Sequence, residues 1–152
     1  MTDGPAVSAI VACIDLAGRI LVVRQHRGPF AGAWLLPGGN VERDERVEDA
    51  ARRELFEETG YRTVDLRLVA LYEVRGMRPA GFHFLVHLFR AGEVDGVPQA
   101  ETGGAMRWED PRTIDAHPSL AVALADLGLI DRDSATLFRD LGDVGVDMRR
   151  LF

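Results

Sequence analysis

Charge stands where this chain should be apolar. Along the run from Val47 to Thr59, residues on a helix project about 100° apart, so Glu54 and Glu58 stack at i, i+4 and Glu57 flanks the same stripe. Val47, Ala51 and Leu55 project to that side too, which makes it the side a helix buries against a sheet. A solvated helix rich in Glu is the plain alternative, but Glu48, Asp49, Arg52 and Arg53 already fill the outer arc. Like charges at this spacing destabilise a helix, and a desolvated carboxylate is costly unless it is paired or neutralised. Something cationic must compensate, and a divalent metal is the economical answer. Oxygen-only donors beside a phosphate-bearing substrate favour Mg²⁺, with Mn²⁺ in its place, over Zn²⁺.

The order of residues sharpens this. From Gly39 the chain runs five residues to Glu45, seven more, then Arg53-Glu54-Leu55-Phe56-Glu57-Glu58-Thr59-Gly60-Tyr61. This resembles the Nudix box, the signature of the Nudix hydrolases (MutT-like), with every fixed position filled. Tyr61 departs from the bulky aliphatic residue usual there, and Arg46 stands where related sequences often carry a helix-capping Ser or Thr. Asp44 is expected to take over the cap. Upstream, Gly32-Ala33-Trp34-Leu35-Leu36-Pro37-Gly38-Gly39 looks like the usual entry, and downstream Glu101 and Arg107-Trp108 resemble a later loop and strand. The resemblance covers roughly residues 6 to 130. It implies an α/β fold, the Nudix α/β/α sandwich with a mixed β-sheet flanked by helices.

Local patterns agree with such a fold. Residues 6 to 14 and 19 to 25 read as strands of a hairpin turning at Asp15-Leu16-Ala17-Gly18, and Trp34 to Leu36 as a short strand stopped by Pro37. Gly60 is placed for a left-handed C-cap. Strands are expected at Leu66–Arg75, Phe82–Arg90 and Ala105–Trp108, and helices at Ser119–Leu127 and Ser134–Leu141. One domain spanning residues 1–152 is expected, with 131–152 an extension of unassigned structure.

The resemblance implies that Glu54, Glu57, Glu58 and the Gly38 carbonyl hold the metal, and that Arg53 and Glu45 support the site without breaking bonds. Arg53 suits that role by itself, because its fixed, always-charged fork lies one residue before Glu54 and four before Glu57. The base that takes the proton from water is Glu54 or Glu101, the latter in a loop beside Thr102-Gly103-Gly104. Candidate substrate contacts are Trp34, Arg24 and Phe84. A Trp beside the box is more often packing than a stacking platform. Phe82, Phe84, Val86 and Leu88 share one face of their strand, and His83, Leu85 and His87 the other. His83 and His87 stand about 13 Å apart along a strand and cannot share a metal. Arg27, Arg75 and Arg78 are further candidates for phosphate contacts.

Charge sets limits on partners. With 18 basic against 24 acidic residues the formal charge is −6, which disfavours a sequence-independent grip on nucleic acid; small phosphates can still bind locally through a metal, and the resemblance implies a small nucleotide or nucleoside diphosphate derivative as the partner. A homodimer is left open. Cys13 is the only cysteine and is expected to be an inert core residue, which suits a reducing cytoplasm. Neither a signal peptide nor a membrane span is expected. The expected reaction is hydrolysis of the diphosphate linkage of a nucleoside diphosphate linked to a moiety X, a nucleoside triphosphate being the first guess. Two rivals stand beside it: a ligand-sensing Nudix module without turnover, which the complete set of glutamates argues against, and isoprenoid diphosphate isomerisation, which in the enzymes it resembles needs a pocket cysteine.

Overall fold

The computed structural model describes residues 4–77 and 81–152; Arg78 lies outside them. Three strands, β1 (Ala6–Ala12), β2 (Ile20–Arg24) and β3 (Trp34–Leu35), are followed by β4 (Gly38–Asn40) and the acidic helix α1 (Val47–Thr59). Then come β5 (Tyr61–Arg62), the long pair β6 (Leu66–Gly76) and β7 (His83–Ala91), β8 (Asp95–Gly96) and β9 (Ala105–Glu109). Helices α2 (Pro118–Asp126) and α3 (Ser134–Asp143) and a last strand, β10 (Val146–Arg150), complete the chain.

The main sheet has the order β10-β6-β7-β1-β4, parallel between β1 and β7 and antiparallel elsewhere. Alternation along β1 divides its residues between the two faces. Ala9, Val11 and Cys13 pack with Ala51 and Leu55 of α1, whereas Ala12, Tyr72, Val74 and Leu88 pack with Leu120 to Leu124 of α2 and Leu137 and Leu141 of α3. Helices therefore cover both faces of a mixed sheet, the α/β/α arrangement expected from the sequence. A second sheet, β3-β2-β9, and the small ribbon β5-β8 flank it.

The expected hairpin forms only at its tip. Asp15 Oδ1 accepts from the backbone of Ala17 (3.0 Å) and Arg19 (2.8 Å), and Ile14 bridges Ile20. Beyond that bridge β1 and β2 enter different sheets, because the edge that a longer hairpin would use is taken: Val11 N donates to Pro37 O at 2.8 Å, and Ser8 to Ile10 pair with β4.

The two ends of α1 differ. Gly60 closes it at φ 77°, and a side chain there would meet Val97 O at 2.2 Å. At the start, Asp44 does not cap. Arg46 is the N-cap and makes no side-chain cap bond, while Asp44 is spent on the preceding turn at φ 64°. That turn is held by Glu45, whose Oε1 accepts from Glu42 N at 3.0 Å. Glu48 and Asp49 in the first turn complement the helix dipole instead. The terminal extension is also structured: α3, capped by Asp133 Oδ2 on Thr136 N (3.1 Å), leads into β10, which extends the main sheet beyond β6. Among the described residues no helix is long and apolar enough to cross a membrane.

Candidate active site

Strand β4 carries two glycines because nothing larger fits. A Cβ on Gly38 would meet Ala9 O at 2.2 Å, and one on Gly39 would meet the Glu54 carboxylate at 2.5 Å. The glycines thus let α1 and β1 close on β4 from two sides. Glu54 and Glu58 then point at the strand, and Gly38 N donates to Glu58 Oε1 at 3.4 Å.

Arg53 organises the acidic cluster. Its Nε and Nη2 meet both oxygens of Glu45 at 2.8 and 3.0 Å, a bidentate pair, while Nη1 reaches Glu54 Oε1 at 2.9 Å and Glu57 Oε2 at 3.3 Å. Nη2 also donates to Asn40 O at 3.0 Å. The guanidinium holds the Glu45 carboxyl below its ordinary range, helped by the Glu42 backbone. Its own proton is held more tightly, chiefly by Glu45 and then by Glu54.

Glu58 has no such partner. It is buried, with 9% exposure, and burial first, the Glu54 charge next and more distant Glu101 push its carboxyl from 4.5 up to about 9. Among the described residues no three acidic, His or Cys side chains stand as a ready-made ligand set. The compensation argued from the sequence is thus supplied within the chain, by Arg53 for Glu54 and Glu57 and by a retained proton for Glu58. The donor types nevertheless suit a hard divalent cation: carboxylate oxygens, one buried and two near a guanidinium, beside a strand that admits no Cβ.

These carboxylates form one end of a cavity of about 560 Å³. Glu54, Glu57, Glu58, Gly38 and Glu101 all line it. Glu101 comes from the loop before β9; its amide donates to Glu58 O at 3.3 Å, and Arg27 Nη2 stands 3.9 Å from its carboxylate. The lining also includes the apolar Phe30, Val74, Phe84, Val86 and Met148 and the polar Arg24, Gln25, His26 and Arg27.

Of the candidate substrate contacts, Arg24 and Phe84 line the cavity and Trp34 does not. The Trp34 ring is covered instead by Arg107, 3.9 Å from its centroid, with Arg24 at 5.9 Å. Arg27 lines the mouth; Arg75 is not among the lining residues. His83 Nε2 meets Glu73 Oε2 at 2.7 Å and His87 Nδ1 meets Ser8 O at 3.2 Å, so each has its own partner. Sequence reasoning missed Phe30, Tyr72, Ser119 and Met148 as cavity walls. For Met148 a signal existed in the alternation of Val146, Met148 and Arg150.

Comparison with known proteins decides the family. A model of the NUDIX domain matches residues 4–130. The chain belongs to the Nudix family. The helix and glycines described above are its Nudix box. An oxidized purine nucleoside triphosphate hydrolase of Danio rerio is 37% identical over 100 residues, covering 61% of this chain and 59% of that protein. An ADP-ribose pyrophosphatase of Methanocaldococcus jannaschii is 39% identical over 77 residues, 51% of this chain and 45% of that protein. The chain thus spans about half the length of these Nudix relatives. A MutT NUDIX hydrolase from Burkholderia pseudomallei superimposes with a TM-score of 0.73 at 29% identity, covering 82% of this chain and 99% of that one.

Proposed function

We propose that this Nudix protein is a Mg²⁺- or Mn²⁺-dependent pyrophosphohydrolase that cleaves the diphosphate linkage of a nucleoside diphosphate bearing a further group X. A nucleoside triphosphate is the substrate to test first. One observation carries the reading: a buried carboxyl, Glu58, lies beside Glu54 at the acidic end of a cavity whose far end is walled by Val74, Phe84 and Met148. A phosphate chain on a divalent cation suits the first end, and an organic group suits the second.

Glu54, Glu57, Glu58 and the Gly38 carbonyl would hold the cation, which when bound neutralises phosphate oxygens and acidifies a water. Loading requires Glu58 to release its proton, so binding of metal and of protons compete. Arg53 keeps Glu54 and Glu57 in place, and Glu45 keeps Arg53 in place. The proton of the attacking water passes to Glu54 or Glu101; both carboxylates line the cavity. Arg24 and Arg27, at the mouth, offer charge to the outer phosphates.

The relatives named above support two choices of X, the terminal phosphate of an oxidised purine nucleoside triphosphate and the ribose of ADP-ribose. A panel of nucleoside triphosphates, ADP-ribose and dinucleoside polyphosphates incubated with Mg²⁺, with products resolved by chromatography, tests the proposal. Release of two phosphate-bearing fragments is expected. Tight binding without turnover would make the domain a sensing module instead. Isomerisation of an isoprenoid diphosphate has little support, because Cys13 packs with Val11 and Leu55 on the α1 side of the sheet and burial pushes its thiol up to about 12.

A further inference from the structure

The NUDIX match ends at residue 130, yet the cavity continues past it. Strand β10 sets Met148 opposite Val74 and Arg150 opposite Tyr72, and β6 in turn sets Val74 opposite Phe84 and Tyr72 opposite Val86. Met148, Val74 and Phe84 therefore form one row across three strands, and all three line the cavity. Four strand spacings of about 4.8 Å each separate β10 from β4, so the backbones of Met148 and Gly38 lie on strands about 19 Å apart. Met148 thus marks the end of the cavity far from Gly38, with Val74 and Phe84 one and two strands nearer to it.

A side-chain latch fixes this wall. Arg150 Nη1 stands 3.0 Å from Asp126 Oδ1, at the end of α2, while its Nη2 donates to Val69 O at 3.2 Å and its Nε to Phe152 O at 2.8 Å. The other oxygen of Asp126 accepts from the hydroxyl of Tyr72, a fully buried residue that also lines the cavity. One carboxylate so ties α2, β6 and β10 together around the same end.

We infer that residues 131–152 are a specificity element: Met148 is the wall on which the nucleobase of the substrate packs, and the Arg150–Asp126–Tyr72 latch holds that wall in position. The inference rests on the nucleotide reading given above. A flat ring fits this end because a thioether packs well at the edge of an aromatic ring, and Phe84 in the same row offers an aromatic surface. Met148 is a specificity residue and Arg150 a positioning residue; neither touches the reacting phosphates.

Non-hydrolysable α,β-methylene analogues of ATP, GTP, CTP and UTP, titrated in Mg²⁺ by equilibrium dialysis, test this with the full chain. Met148→Ala should raise Kd about tenfold for the preferred base and narrow the spread among the four. With the preferred hydrolysable substrate its KM should rise while kcat stays within about twofold. Met148→Leu, close in volume, should restore wild-type binding. Arg150→Met should shift Kd in the same direction with kcat unchanged, and it keeps the test decisive if the alanine variant folds poorly. Kd values for Met148→Ala and Arg150→Met within twofold of wild type for all four analogues would overturn the inference and leave the hydrolase reading standing. So would a wild-type protein that binds none of the four while hydrolysing another diphosphate. A wild-type protein that binds nucleotides but turns none over would instead remove the hydrolase reading, and the Kd comparison would still decide the role of Met148.

Discussion

Replacing Glu58 by Gln should stabilise the metal-free protein at alkaline pH while depriving it of metal. In the folded chain burial and Glu54 raise the Glu58 carboxyl from 4.5 to about 9, whereas the unfolded chain titrates near the ordinary value. Between those limits the native state holds one proton more than the unfolded state. The stability this contributes is fully present below about pH 4.5 and is lost as pH rises toward about 9. One proton corresponds to a slope of about −1.4 kcal/mol per pH unit, so three units bound the loss at about 4 kcal/mol. Coupling to Glu54 and Glu101 makes that figure a ceiling. Glutamine is neutral throughout, and its amide oxygen can still accept from Gly38 N.

Urea unfolding in EDTA from pH 5 to 8 reads the difference directly. Wild type and Glu58→Gln should nearly coincide at pH 5 and diverge as pH rises, the variant being the more stable. In thermal melts under the same conditions, at about 2–4 °C per kcal/mol for a chain of this size, a gap of several degrees in Tm is expected at pH 8. Mg²⁺ should close the gap, since a ligand at about 100 times its Kd adds about 2.7 kcal/mol to the wild type and one at about 1,000 times adds about 4.1 kcal/mol. Parallel pH profiles in EDTA, or a variant less stable than wild type at pH 8, would refute the account of Glu58.

The other consequences are local. Gly39→Ala drives a Cβ to within 2.5 Å of the Glu54 carboxylate, so kcat with Mg²⁺ should fall at least tenfold while circular dichroism shows the fold retained. Arg53→Lys keeps the charge but loses the fork that spans Glu45 and Glu54; steady-state kinetics should show a fall in kcat of about 10- to 100-fold. Glu101→Gln separates the two candidate bases: a loss in kcat of about a hundredfold with little change in KM assigns the base to Glu101, and a rate within about twofold of wild type leaves it to Glu54. Cys13, 1% exposed with its thiol raised to about 12, should react with a thiol reagent only at the rate of global unfolding.

Features with strict spacing were legible before any coordinates. Helix α1, its Gly60 cap and the Glu45–Arg53 pair follow from helical periodicity and from the chemistry of a guanidinium, and each depends on residues within about two turns of one another. The alternation on β7 put Phe84 and Val86 on one face, and both line the cavity. What escaped were long-range choices. A β1–β2 hairpin and a strand that leaves for a second sheet look alike in sequence until it is known that Pro37 to Asn40 occupies the edge of β1. Trp34 likewise reads the same whether its ring lines a cavity or lies under Arg107. Strand β10 offers only Val146 and Met148 as apolar residues among charges, and its reason for pairing is the free edge of β6, which no local pattern reveals.

The acidic cluster shows why an argument from charge alone was sound in its premise and incomplete in its answer. Three neighbouring carboxylates, one of them buried, do need compensation, and a metal is one way to provide it. Arg53 is another, because its five donors can serve Glu45, Glu54 and Glu57 together. Glu58, out of its reach, is left to protonation. If a cation binds here as proposed, such a division has a chemical use: Arg53 already offsets part of the cluster's charge, and the one carboxyl that still carries a proton would exchange it for the cation. Under the proposed function, metal affinity should therefore rise with pH through the range in which Glu58 ionises. Mg²⁺ titrations at pH 6, 7 and 8 should show Kd falling at each step, with release of close to one proton per cation at the lower pH. A pH-independent Kd would mean that Glu58 is already ionised in the metal-free protein, and that Arg53 compensates the whole cluster.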